Sequence, residues 1–137
     1  MADLPTPPVA PERTLDGLIG LEVLEVDEER ATGRLPITDR VRQPFGLVHG
    51  GAYATVAESL ASQATVRAVY EDGMIAVGLS NHTSFLRPAS GATLHAEARR
   101  RHRGRTTWLW EVDFTDDEGH LCALARVTMA VRPRPGG

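Results

Sequence analysis

The chain has 137 residues, of which 42% are hydrophobic and 24% charged, and its formal net charge is −3. This length suits one globular domain with a substantial core, and the charge balance argues against nucleic acid or an anionic membrane as a partner. A single cysteine, Cys122, excludes an internal disulfide, and its apolar surroundings predict a core residue. Because no apolar run suits a signal peptide or a membrane span, we expect a cytoplasmic protein.

The first part of the chain contains a proline-rich arm and a hairpin. Four prolines in residues 1–13 predict a flexible arm, which leaves a single domain over residues 14–137. Thr14 suits the N-cap of a short helix that ends near a glycine. Two extended runs separated by an acidic turn predict a β-hairpin of Leu21–Val26 with Ala31–Thr38.

A long helix is predicted from Gly50 to about Tyr70, because Ala, Val and Leu fill residues 52–68 without proline or glycine. Its apolar side chains point in every direction around the axis, so we expect burial on most sides. Glu58 is the only charged residue between Gly50 and Val66. An isolated carboxylate in apolar surroundings costs several kcal/mol. Glu58 therefore has either a compensating partner or a chemical role.

Extended segments make up the rest of the chain. Four runs are separated by short glycine-containing turns: Met74–Leu86, Thr93–Arg103, Arg105–Thr115 and His120–Val131. Glycine in Glu71-Asp72-Gly73 ends the helix before the first of them. Short connections favour antiparallel pairing, and the apolar face of such a sheet needs a cover. We therefore predict an α+β fold in which a curved antiparallel sheet of about six strands surrounds one long central helix.

The turn before the helix carries a recognisable motif. His49-Gly50-Gly51 followed by Glu58 resembles the signature of the hotdog-fold acyl-CoA thioesterases. Further motifs are similar to the 4-hydroxybenzoyl-CoA thioesterase subgroup that uses a catalytic glutamate. These motifs are Thr14-Leu15-Asp16-Gly17, Gly46-Leu47-Val48-His49-Gly50-Gly51-Ala52-Tyr53, Ser80-Asn81-His82-Thr83-Ser84-Phe85, Thr106-Thr107-Trp108 and Ala130-Val131-Arg132-Pro133-Arg134. The resemblance implies a hotdog fold and a role in aromatic degradation.

The resemblance also implies catalytic roles for individual residues. An aryl-CoA thioester would be cleaved to the aromatic acid and CoA, with Glu58 attacking the carbonyl or activating water. The backbone N–H of Gly50 would polarise the carbonyl, and Gln43 would orient the thioester or the water. His49 would shape the turn and donate a supporting hydrogen bond. Ser62 stands where the subgroup has a threonine.

Substrate-binding residues follow from the same resemblance. Gln63 stands where the subgroup has a glutamate near the aromatic ring, Asp16 is expected at the far end of the acyl pocket, and His82 at the pocket wall. Five further residues are expected to hold the CoA phosphates: Arg87, Arg105, Thr106, Arg132 and Arg134. Arg105 replaces a serine of the subgroup, so the phosphate site is expected to shift rather than disappear.

The spacing of Gly50 and Glu58 has a consequence for assembly. Eight residues of α-helix place their backbones about 12 Å apart, so one chain cannot bring both to one carbonyl. Two chains with their helices side by side could place Gly50 of one opposite Glu58 of the other. We therefore predict a homodimer with composite active sites. The resemblance extends this to a homotetramer, a dimer of dimers.

Several alternatives stay open. The arginine-rich run Arg99–Arg105 fits a solvated edge strand or CoA phosphate binding better than nucleic acid, because strand alternation divides its charges between two faces. Five histidines show no short metal-ligand spacing, so neither metal nor cofactor is expected. The acyl group could instead be a bicyclic quinone precursor or an aliphatic chain. A non-catalytic acyl-CoA sensor is the alternative from another functional class.

Overall fold

The computed structural model describes residues 3–136 and contains two α-helices and six β-strands within that range. The helices are α1 (Leu15–Ile19) and α2 (Gly50–Val69). The strands are β1 (Glu22–Val26), β2 (Arg30–Pro36), β3 (Met74–Phe85), β4 (Thr93–Arg103), β5 (Thr107–Thr115) and β6 (Leu121–Pro133). Single 3₁₀ turns span Pro11–Arg13, Asp39–Val41 and Tyr70–Asp72. Each predicted helix and strand is confirmed, and its observed ends lie within about two residues of the predicted ones.

All six strands form one antiparallel sheet in the order β1-β2-β4-β5-β6-β3. This is the predicted α+β arrangement, with α2 packed against the inner face of the sheet. β3 pairs with β6 alone among the described strands, so its outer side is an open edge twelve residues long.

The helix boundaries follow from their end residues. Thr14 caps α1, since its hydroxyl accepts the Gly17 N–H at 3.3 Å. His49 caps α2, since its Nδ1 accepts the Gly51 N–H at 2.8 Å. Gly73 ends the following 3₁₀ turn with a φ of 76°, a conformation that favours glycine. Side-chain caps therefore explain where the two α-helices begin, and a glycine with positive φ explains where the 3₁₀ turn ends.

One side of α2 forms the centre of the core. Its fully buried positions recur in adjacent pairs every four residues and include Val56, Leu60 and Thr65. Thr65 accepts the indole N–H of Trp110 at 2.9 Å, which satisfies a polar group inside the core. The opposite side of α2 is exposed or half-buried. The prediction that α2 is buried on most sides is therefore wrong for the single chain, because the sheet covers only one face of the helix.

The arginine-rich run in β4 also differs from the prediction. β4 lies between β2 and β5, so it is not an edge strand. A register shift between Arg100 and His102 interrupts the alternation, and the guanidinium groups of Arg100 and Arg103 both lie over the Trp108 ring, at 4.9 and 4.8 Å. Carboxylates of neighbouring strands and of the β1–β2 turn pair with the arginines of β4. Most of this basic run therefore stabilises the sheet.

Candidate active site

The loop before α2 is held in a fixed shape. A single bridge pairs Arg42 with Val48, and the Gln43 backbone N–H donates to the Leu47 carbonyl at 2.8 Å. The Gln43 side-chain oxygen accepts the Phe45 N–H. Gln43 borders a cavity of about 430 Å³ that Gly50 also lines. Gln43 is therefore positioned near the N-terminus of α2.

Gly50 is the first residue of α2, and its missing side chain leaves room for the ring of Phe85. A Cβ atom at this position would lie 2.7 Å from Cζ of Phe85, well inside van der Waals contact. No hydrogen bond within residues 3–136 uses the Gly50 N–H as donor. A free N–H at the positive end of a twenty-residue helix suits a developing negative charge.

Glu58 lies on the exposed side of α2, next to the edge strand β3. A Cβ atom at Gly78 would lie 2.8 Å from Oε1 of Glu58, so only glycine leaves room for the carboxylate in this position. Farther along β3, Asn81 Nδ2 donates to the Ala54 carbonyl of α2 at 2.9 Å. These contacts fix the distance between β3 and the helix around Glu58. Asn81 belongs to a motif noted in the sequence, whereas Gly78 has no local sequence signal.

A hydrogen-bonded pair faces the same cavity as Glu58. The Ser59 hydroxyl donates to Oδ1 of Asp16 at 2.7 Å, linking α2 to the short helix α1. Both residues line a cavity of about 420 Å³ together with Glu58, Ser62 and Gln63. Sequence reasoning missed Ser59. The available signal was its i, i+4 spacing to Gln63, which places both on one side of the helix.

The two groups expected at one carbonyl do not meet in a single chain. Gly50 and Glu58 both border a shallow depression of about 400 Å³ on the open side of α2. The helical rise nevertheless separates their backbones by about 12 Å. Gln43 lines the cavity at the helix N-terminus, whereas Glu58 lines the cavity that contains Asp16.

Two titratable groups line the cavity at the helix N-terminus. Burial raises the pKa of Tyr53 to about 12, with smaller contributions from Cys122 and Asp116. Burial also raises the pKa of the Cys122 thiol, and the nearby Asp116 adds to that shift. Both groups are therefore neutral at pH 7 and form part of the cavity wall. Cys122 is 1% exposed, which confirms the prediction that it is a core residue.

The residues expected to hold CoA phosphates lie at both ends of α2. Arg87 lines the cavity at the helix N-terminus. At the other end, Arg132 donates to the Thr106 carbonyl at 2.9 Å, and the Arg134 guanidinium lies 4.2 Å from the Tyr70 ring centre. None of the four arginines proposed for phosphate binding has a carboxylate partner within residues 3–136. Arg105 is the fourth, in the exposed β4–β5 turn.

His82 is not brought together with the other candidate residues. It lies in β3 opposite Arg126, one position away from Asn81, whose side chain contacts α2. Successive side chains in a strand point to opposite faces, so His82 faces away from the helix. In the described part of the chain, no group of three or more potential ligands could hold a metal ion. No helix in that part is long and apolar enough to cross a membrane.

A six-stranded antiparallel sheet packed against one long helix is the architecture of the hotdog fold. A family model described as the thioesterase superfamily matches residues 45–123. The chain belongs to this superfamily, and it is an acyl-CoA thioester hydrolase with the hotdog fold.

Individual relatives cover most of the chain. A solved structure of a variant of thioesterase PA1618 from Pseudomonas aeruginosa is 36% identical, covers 90% of this chain and 89% of its own, and has a TM-score of 0.85. The 1,4-dihydroxy-2-naphthoyl-CoA hydrolase of Listeria monocytogenes is 32% identical over 88% of this chain and 97% of its own. A thioesterase variant, SAV0944 from Staphylococcus aureus, is 26% identical with a TM-score of 0.82, covering 87% of this chain and 98% of its own.

Proposed function

We propose that the protein hydrolyses an aromatic acyl-CoA thioester, 4-hydroxybenzoyl-CoA or a related hydroxyaryl-CoA, to the free acid and CoA. The observation that carries this proposal is the Asp16–Ser59 hydrogen bond in the same cavity as Glu58. Oδ1 of Asp16 accepts the hydrogen bond from the Ser59 hydroxyl, and no side chain within residues 3–136 donates to Oδ2. A carboxylate oxygen accepts further hydrogen bonds, so Oδ2 suits a hydroxyl on an aromatic ring.

The proposed chemistry divides between three residues. Water adds its oxygen to the thioester carbonyl carbon, the C–S bond breaks, and the CoA sulfur leaves and takes up a proton. The Gly50 N–H stabilises the negative charge that develops on the carbonyl oxygen. Glu58 removes the proton from the water, or attacks the carbonyl carbon to form an anhydride that water then hydrolyses. Gln43 orients the thioester or the water.

Two further residues have supporting roles in this proposal. Because His49 Nδ1 accepts the Gly51 N–H, its Nε2 is left to donate a hydrogen bond towards the substrate. Ser62 lies one helical turn after Glu58 on the same cavity wall, where its hydroxyl can contact the acyl group.

Variants of the Staphylococcus thioesterase replace a glutamine and a glutamate that are fifteen positions apart. Gln43 and Glu58 have the same separation, which supports their assignment.

The proposal includes a homodimer in which Gly50 and Gln43 of one chain face Glu58 of the other. The open edge of β3 supports this assembly, since Val77 and Leu79 on that strand are 49% and 56% exposed. An unpaired strand with exposed apolar side chains is a surface that soluble proteins normally cover. Pairing of β3 with its two-fold copy would also cover the open side of α2. Two such dimers would form the expected homotetramer.

Such a dimer would also assemble the proposed phosphate site. Arg87 lies at one end of α2, and the remaining candidates lie at the other end or in the β4–β5 turn, so antiparallel helices bring the two sets closer together.

Arg87→Ala or Arg105→Ala is expected to raise KM for the CoA ester and to leave turnover of a short pantetheine ester nearly unchanged. Arg126→Ala, an exposed arginine paired with Glu111, is the control. Equal losses on both esters would indicate a structural role.

A panel of CoA thioesters with thiol release as the readout tests the main proposal. The 4-hydroxybenzoyl, benzoyl, phenylacetyl and hexanoyl esters differ in the ring and its hydroxyl. We expect the highest kcat/KM for the hydroxylated ring, and Asp16→Asn should reduce that preference over benzoyl-CoA. Binding of every ester without any thiol release would support the sensor function instead.

Mixed dimers test the composite site. Glu58→Ala and Gln43→Ala chains are each expected to be inactive. Mixing them should restore a fraction of the activity, because one of the two sites in a heterodimer then has both residues intact. Absence of rescue in heterodimers verified by differential tags would exclude the shared site.

A bicyclic ester is the second candidate substrate. It is favoured by the similarity to the Listeria relative, a 1,4-dihydroxy-2-naphthoyl-CoA hydrolase. Including 1,4-dihydroxy-2-naphthoyl-CoA in the panel separates the two candidates by their kcat/KM values.

A further inference from the structure

A second cavity adjoins the one that contains Glu58. It has a volume of about 530 Å³ and shares two side chains, Asp16 and Gln63, with the Glu58 cavity. Glu58 itself does not border it. A group that enters at Glu58 and passes Asp16 and Gln63 would therefore reach this second space. Its volume lies within the range of small-molecule sites, about 300–1,000 Å³.

The N-terminal arm forms one wall of the second cavity. Pro7, Val9 and Pro11 contribute the arm's side of the lining, and Leu21 and Val23 contribute the opposite side. Leu21 and Val23 are half-buried and pack against the main core. These two walls are thus mostly apolar, and the polar members of the lining are Glu12 of the arm, the adjoining Thr14, and Asp16 and Gln63 at the entrance. This distribution suits an acyl group with a polar substituent followed by an apolar extension.

The arm is held in place by contacts with α1. The Thr14 hydroxyl donates to the Pro11 carbonyl at 2.6 Å, and the Arg13 N–H donates to the Ala10 carbonyl at 2.9 Å. Gly17 permits this packing, because a Cβ atom there would lie 2.1 Å from the Pro11 oxygen. The Pro11 end of this wall is therefore packed against α1, whereas Val9 is 49% exposed.

We propose that this second cavity is a distal acyl subsite, which takes an apolar extension beyond the first ring, and that Val9 limits the size of that extension. The proposal rests on the thioesterase function proposed above and adds to it a determinant of acyl length. The extension is a second ring or an alkyl chain. Either would gain from transfer out of water into the apolar cavity.

Variants of Val9 test the subsite through substrate preference. Val9→Trp should fill the cavity and lower kcat/KM for 2-naphthoyl-CoA and decanoyl-CoA by about tenfold or more, with benzoyl-CoA within about twofold. Val9→Ala should leave benzoyl-CoA unchanged and shift the preference towards the longer esters. The two long esters distinguish a second ring from an alkyl chain. Leu4→Trp is the matched control, an exposed apolar residue of the same arm that does not line the cavity.

A binding measurement separates this proposal from the catalytic one. Two non-hydrolysable thioethers, phenacyl-CoA and 2-naphthacyl-CoA, serve as probes in calorimetry. Val9→Trp should weaken binding of the naphthacyl probe alone, by about tenfold or more. Gly17→Ala should weaken the same probe, because the arm must move away from α1. Equal effects of Val9→Trp on both probes, or none, would overturn the subsite. Preserved probe selectivity with no turnover of any ester would overturn only the proposed catalysis.

Discussion

The two long sides of α2 differ in burial and in chemistry. One side places Leu60 and Thr65 in the core, with no solvent exposure. The other side presents Glu58, Ser59 and Gln63 to cavities along the open face. Stability and the candidate chemistry are therefore carried by different faces of the same twenty residues. A substitution on one face should change one property and leave the other nearly intact.

Glu58→Gln should produce the largest effect, and on activity alone. The substitution keeps the shape of the side chain but removes the proposed base or nucleophile, so we expect kcat to fall by about 10³-fold. Tm should stay nearly constant, since Glu58 is exposed in the single chain. Glu71→Gln, at an exposed position after the same helix, is the control. A large drop in Tm would show that Glu58 belongs with the stabilising residues.

Leu60→Ala should have the converse effect. Truncating a side chain with 0% exposure leaves a cavity, so we expect a loss of about 2–5 kcal/mol in the free energy of unfolding. Urea denaturation at fixed protein concentration measures it, with Leu24→Ala, which is 52% exposed, as the control. At temperatures where the variant is folded, kcat should remain within a few-fold. Loss of kcat in the folded variant would contradict the separation of the two faces.

Gly78→Ala alters the open face of α2 from the neighbouring strand β3. The added methyl group would lie 2.8 Å from Oε1 of Glu58, so the carboxylate must move. A displacement of about 1 Å can reduce the rate up to 10²-fold, and we expect kcat to fall by about 10–100-fold. Ser80→Ala, a small change on the same strand, is the control. Unchanged kcat in Gly78→Ala would mean that the position of Glu58 in the single chain is not the reactive one.

Two threonine substitutions give the smallest and most closely matched comparison. Thr65→Val removes the acceptor of the Trp110 indole N–H in the core, which should cost about 1–3 kcal/mol of stability. Thr55→Val removes a hydroxyl that donates to the Gly51 carbonyl at 2.8 Å on the half-buried side. There the cost should be below about 0.5 kcal/mol, since water can reach the groups left behind. Denaturant unfolding of both variants measures the difference, and equal costs would contradict it.

Local sequence patterns determined the elements of this fold. Residues 52–68, which contain no glycine or proline, predicted α2, and Gly73 ends the 3₁₀ turn that follows it, because helix termini depend on residues that adjoin them. Alternation along β5 places Trp108 and Trp110 on one face, and both are buried. Glu58 stood out for a similar reason, as a single charge within an apolar helix. Each of these signals depends on neighbours in the chain.

Tertiary packing decided the contacts that surround Glu58. Ser59 meets Asp16 across 43 residues of sequence, and Gly78 lies beside the carboxylate only because β3 runs along α2. The register shift at Arg101 likewise places Arg100 and Arg103 over one ring. No local periodicity encodes such contacts, since they depend on how separate elements pack. The sequence by itself identified the carboxylate, and the fold showed which face of its helix remains open for chemistry.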